Sequence, residues 1–159
     1  MAIAGTSRAT FYLHFASKSE TLAAAWMELC QPVMHESWQQ LNDMPRWDME
    51  GLLVWSSDHL SKWEATRNFH LASMQAVATD PALTDRWYAG IEEFLQSAPR
   101  VLQRIAETGA VPEQRFILLC NLMERGAHLY FTGYFKAARD ELVREVATIW
   151  FQTLNAPAA

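Results

Sequence analysis

Four side chains are the candidates for moving a proton or holding a metal: His59, His70, His128 and Glu124. Proton transfer needs such a group within hydrogen-bond reach of the reacting atom, and a metal needs several at matched spacing. These four show neither the His-Glu-x-x-His spacing of a zinc site nor a nucleophile beside a base, so each histidine reads as a solvated or satisfied core residue. The two cysteines, Cys30 and Cys120, stand apart in apolar surroundings, without the spacing of a metal knuckle or a redox pair. They read as buried free thiols in a reducing compartment, and no catalytic residue, metal or cofactor is expected.

Charge points elsewhere. The formal net charge is −5, yet residues 1–20 hold Arg8, Lys18 and Glu20, a balance of +1 that leaves −6 for the remainder. A small cationic end on an acidic body suits phosphate contact, although two cations make a thin patch.

The elements that position these groups follow from the spacing of apolar residues. Half of the 159 residues are apolar, enough for a substantial core. No uncharged apolar run is long enough to cross a bilayer and no leader is visible, so a cytoplasmic protein without membrane contact is expected. Apolar residues recur at steps of three and four almost throughout, which predicts an all-α helical bundle. A short helix is expected over about 7–13. Ser17 to Glu20 then form a capping box for a helix to about Leu41, kinked or stopped at Pro32. A loop follows to Trp47. The helix from about Asp48 to Glu64 places Leu52, Trp55, His59 and Trp63 on one face, and another covers Asn68 to Ala78. Asp80-Pro81 starts a long helix to about Gly109, bent at Pro99, with a stripe that includes Leu83, Trp87, Ile91, Phe94, Leu102 and Ile105. Pro112 opens a helix that is apolar nearly all round from Phe116 to Phe135, and a last helix runs from about Arg139 to Leu154. Three parts are expected: residues 1–20, a body over 21–155, and a frayed tail over 156–159.

The stretch Ile3-Ala-Gly-Thr-Ser-Arg-Ala-Thr-Phe-Tyr-Leu-His-Phe-Ala-Ser-Lys-Ser-Glu-Thr-Leu22 resembles the signature of TetR-family transcriptional repressors. The resemblance implies the second half of a helix-turn-helix, with Gly5 and Thr6 in the turn and the helix over about 7–13 entering the major groove. By that likeness Ser7, Arg8 and Thr10 reach base edges, Arg8 being able to pair with guanine, while Tyr12, His14 and Lys18 touch phosphates. The alternative for Tyr12 is a half-buried aromatic whose hydroxyl meets water. In the family a first helix and most of a second precede this motif, where here only Met1 to Ala4 stand. The expectation is therefore that these residues alone bind operator DNA weakly or not at all, whereas the intact parent binds it.

The segment Asn121 to Gly133, with Ile149-Trp150, is also similar to ethionamide-resistance-type regulators within that family. These bind elongated, largely apolar ligands in a tunnel through each subunit. The likeness implies that Trp63, Trp87, Phe94 and Trp150 line a pocket, with Met123 and Cys120 where asparagines would be expected and Asn121 adjacent. The residues themselves agree without requiring it, since seven tryptophans are many for this length and indoles are hard to pack without gaps. Trp55, His59, Met74 and Ile91 join the candidate lining of a site for a small apolar or aromatic effector, Asn121 and His59 as its polar groups and Met27 as adaptable wall. A plain aromatic core is the competing account.

The apolar helix from Phe116 needs a second covering surface, and the family resemblance implies a homodimer built from it and the last helix. Gly126, Tyr130, Gly133, Tyr134 and Ala147 are the candidate interface residues; a central helix buried within one subunit is the alternative. Two other functions stay in view: a helical interaction module without a small ligand, and, less favoured, an enzyme.

Overall fold

Ser17 sets the start of the described structure. The computed structural model describes residues 17–158 apart from the Lys18 side chain. The helix expected over 7–13, with Thr6, Ser7, Arg8, Thr10, Tyr12 and His14, lies outside the described residues, as does the side chain of Lys18. Among the described residues the regular structure is helical, with no strand.

The Ser17 hydroxyl accepts the Glu20 amide at 3.0 Å and turns the chain into α1, Lys18–Ala25. A π-helical turn, Trp26–Cys30, joins it to α2, Gln31–Asp43. Pro32 explains the turn. Proline has no amide hydrogen, and its ring would strike the carbonyl four residues back in a regular helix. The wider turn redirects the ladder so that the Gln31 amide donates to the Trp26 carbonyl, and Pro32 falls in the first turn of α2, where its missing hydrogen costs little. The interruption expected at Pro32 is thus absorbed just before it.

Asp48 caps α3, Met49–Ala65, by accepting the Gly51 amide at 2.9 Å. Leu52, Trp55, His59 and Trp63 all face inward, none more than 4% exposed. Helix α4 follows at Arg67–Val77. Asp80 accepts the Ala82 amide at 3.0 Å and opens α5, Pro81–Ser97. The single bent helix expected across Pro99 is two helices, because Ala98, pushed out of the helical region by the following proline, sits at φ −127°, ψ 46°. After that break α6, Pro99–Glu107, presents Val101 and Ile105 to the core and leaves Leu102 half-buried. Helix α7, Pro112–Phe131, ends four residues before the expected Phe135. Gly133 adopts φ +75°, and the amides of Tyr134 and Phe135 fold back onto the Leu129 carbonyl at 2.8 and 3.0 Å. The Glu141 carboxylate accepts the Ala138 amide at 2.9 Å and starts α8, Arg139–Leu154.

Helices α3 and α8 run against each other, α2 packs on α3, and α6 on α7. Between them lies an aromatic core. Trp38 of α2 meets Trp55 of α3 at 5.6 Å between ring centroids and Phe116 of α7 at 5.2 Å, and Trp150 of α8 closes the group at 5.5 Å from Trp55. The Trp150 indole donates to the Met123 sulfur at 2.9 Å. Ala147 is fully buried inside the same cluster, so its own subunit takes up the surface that was expected to face a partner.

Arginines tie the helix ends together. Arg100 donates to the Asn42 carbonyl at 2.6 Å and lies over the Trp47 ring. Arg104 donates to the carbonyls of Leu154 and Ala156, both at 2.7 Å, so the expected frayed tail begins tethered. Among the described residues no helix is long and apolar enough to cross a membrane.

Candidate functional site

Away from the aromatic core, α1, the π turn, α4 and α5 fail to close on one another. Helix α4 offers His70, Ser73, Met74 and Val77 at steps of three and four, which puts them on one face. Helix α5 offers Leu83, Trp87 and Gly90 in the same way. A cavity of about 250 Å³ lies between these faces and Leu22, Ala23 and Trp26. A second, of about 330 Å³, shares Val77 and Trp87 as walls and reaches α7 at Asn121, Glu124 and Arg125. The indoles of Trp26 and Trp87 are 5.2 Å apart between centroids. Gly90 keeps the first cavity open, since a Cβ there would meet nothing nearer than the Trp26 indole nitrogen at 4.0 Å.

The polar groups of the walls are Gln31, Ser73, Arg86 and Glu93 in the first cavity and Asn121, Glu124 and Arg125 in the second. The Trp63 indole donates to Glu124 Oε2 at 2.8 Å, and His70 Nδ1 is 3.6 Å from the same oxygen. Trp63 in turn is stacked between His70 and Phe131, at 4.7 and 5.1 Å between centroids. Burial pushes the Glu124 carboxyl up to about 7, against the Trp63 hydrogen bond that favours its charge. Burial pushes His70 down to about 4, so the imidazole is neutral at physiological pH and is no cationic partner for Glu124. The Ser73 hydroxyl and His70 Nε2 are buried with no hydrogen-bond partner among the described residues. At the mouth of the first cavity the Gln31 amide donates to Glu93. Burial also raises both thiols, Cys30 to about 11 and Cys120 well above its usual value, with Glu124 adding to each. Neither is a nucleophile at neutral pH.

The residues singled out from the sequence divide between cavity and core. Trp87, Met74 and Asn121 line the second cavity. Asn121 is exposed and its amide donates to the Ile117 carbonyl at 2.8 Å, so the inward polar position is Glu124, one turn further on. Trp63 lines neither cavity but holds Glu124. Ile91 is half-buried outside the lining, and Phe94 is half-buried against Trp38. Trp55, His59, Met123 and Trp150 belong to the core, where the void beside His59 and Met123 is about 20 Å³, room for a single water. No continuous opening runs between Trp63, Trp87 and Trp150: the space stops on the Trp87 side, because packed rings fill the rest. His59 is itself a core residue. Its Nδ1 is 2.9 Å from the Ser37 hydroxyl, and burial pushes it down to about 3.

The interface candidates scatter as well. Tyr134 and Gly133 are exposed beyond the end of α7, Tyr130 packs edge-on against Phe131 of its own helix, and a Cβ on Gly126 would touch Leu142 of α8 in the same chain. The open apolar side of α7 is carried instead by Leu118 and Leu122, 67% and 46% exposed, with Val111 just before it.

Sequence reasoning missed Trp26, Ser73 and Gly90, and weighed Glu124 only as a catalytic group. The signal for Trp26 was present in Pro32, since a proline inside a helix marks the place where regular winding, and the direction of nearby side chains, must change. Among the described residues no group of three or more His, Cys, Asp or Glu side chains gathers as a metal site. No family model, curated protein or solved structure matches this chain.

Proposed function

We propose that this chain is the ligand-sensing and dimerising body of a cytoplasmic TetR-type repressor, in which a small, largely apolar effector controls operator binding by the segment before α1. The observation that carries the reading is the placement of the cavity pair. Its α1 wall, Leu22 and Ala23, continued by Trp26 of the π turn, belongs to the stretch that follows the groove-reading motif in the sequence. An occupant pressing on that wall acts on the element nearest the reading unit, and an effector shifts such an equilibrium only by binding one arrangement better than the other. The exposed leucines of α7 supply a surface for a second copy, as an isologous contact requires. Operator DNA is the macromolecular partner that this reading implies. No chemical turnover enters the reading, which assigns Glu124 and His70 to binding.

Two measurements test it. Light scattering at micromolar concentration is expected to give the mass of a dimer. Titration with decanol, a neutral apolar probe, is expected to change the tryptophan fluorescence saturably, and the change is expected to vanish in Gly90→Leu, whose side chain projects toward Trp26. A monomer without any saturable change would overturn the proposal. A helical interaction module without a small ligand is the second reading, favoured by the filled Trp38–Trp55–Trp150 core; a dimer that ignores decanol would decide for it.

A further inference from the structure

We infer that the second cavity selects ligands bearing an amine, with Glu124 as the anchor for the cationic head and the adjoining first cavity, walled by Trp26 and Trp87, as the seat of the apolar tail. This rests on the ligand-sensing reading and makes it chemically specific. Glu124 lies in the wall of the second cavity, with its side chain 19% exposed. Its Oε2 already has a donor in the Trp63 indole, whose ring is fixed between His70 and Phe131, so the carboxylate is held rather than free to swing into water.

What the carboxylate lacks is a countercharge. No Lys or Arg forms an ion pair with it among the described residues, and the imidazole at 3.6 Å is neutral at physiological pH. A largely buried carboxylate without a cation is costly, and a bound ammonium group removes that cost while gaining a charge-assisted hydrogen bond. Burial holds the carboxyl near neutrality in its protonation, so a cationic ligand also draws out its proton.

Geometry gives the rest of the ligand. Val77 and Trp87 border both cavities, so the two adjoin, and a tail leaving Glu124 runs along these side chains toward the first. Ser73, 5% exposed, lies in the first cavity's wall, and its buried hydroxyl, unpartnered among the described residues, is a second hydrogen-bonding point. Arg125, also in the wall of the second cavity, is the competing anchor and would instead favour an acid.

Decylamine, decanol and decanoate share one tail and differ in the head, so fluorescence titration with all three, below their micelle concentrations, separates the alternatives. Decylamine is expected to bind at least tenfold more tightly than either of the others. Glu124→Gln, which keeps an acceptor for Trp63, is expected to bring decylamine down to the level of decanol while leaving decanol within about twofold. If decanol binds and decylamine is no better, the amine selection is wrong and the sensing reading stands. A tightest decanoate would move the anchor to Arg125 and overturn the inference in the same way. Should none of the three bind, both fail. Because the comparison of heads is made on the unaltered chain, the result does not depend on the variant folding.

Discussion

Glu124 carries opposite demands, since the Trp63 hydrogen bond favours its charged form and burial opposes it, and burial prevails. A carboxyl raised from its ordinary 4.5 to about 7 in the folded state binds protons there that the unfolded chain has released, so it lowers stability as pH rises through that window. Glu124→Gln is therefore expected to raise the melting temperature at pH 8 and to lose that advantage toward pH 4.5. The buried histidines act with the other sign. His59 and His70 are pushed to about 3 and 4, while the unfolded chain protonates near 6.5, so their contribution is whole above 6.5 and is lost as pH falls below it. Two imidazoles oppose one carboxyl in the overlapping range, and denaturant midpoints are expected to fall from pH 6.5 to 4.5. His59→Gln is expected to flatten that slope. None of these environments was legible residue by residue: the sequence shows a histidine at an inward helical position, but whether a serine such as Ser37 waits opposite is a matter of tertiary packing.

Element boundaries were legible where a side chain closes the backbone locally. Ser17, Asp48 and Asp80 each accept an amide two or three residues on, and each helix begins where those residues predict. Two proline effects were located but not resolved in kind. Pro99 breaks its helix instead of bending it, and Pro32 is accommodated by a π turn whose Trp26 and Met27 border the first cavity. A run of apolar residues cannot reveal such a turn, because one extra residue shifts every later side chain around the axis. Gly90 offers the direct test on α5. Leucine there gains about 1 kcal/mol of helix propensity over glycine and fills space that is otherwise empty, so Gly90→Leu is expected to melt higher than the unaltered chain. A lower melting temperature would mean that the cavity is tighter than the geometry indicates.

At the scale of the molecule, the helical class and the inward stripe of α3 followed from periodicity, whereas the division of the tryptophans did not. Trp38, Trp55 and Trp150 pack ring against ring, while Trp26 and Trp87 face open space, and nothing in the spacing of single helices separates the two groups. Their energetic roles differ accordingly. Trp150→Ala removes a fully buried indole and is expected to cost about 3–5 kcal/mol in chemical denaturation. Trp87→Ala, from a half-buried cavity wall, is expected to cost on the order of 1 kcal/mol and to weaken ligand binding instead. The seven indole N–H groups allow the central claim to be read at once by two-dimensional proton–nitrogen NMR, with assignment by single Trp→Phe variants. Saturating decanol is predicted to move the Trp26 and Trp87 signals and leave those of Trp55 and Trp150 in place; movement of Trp55 and Trp150 alone, or of no indole at all, would contradict a ligand site between α1, α4 and α5.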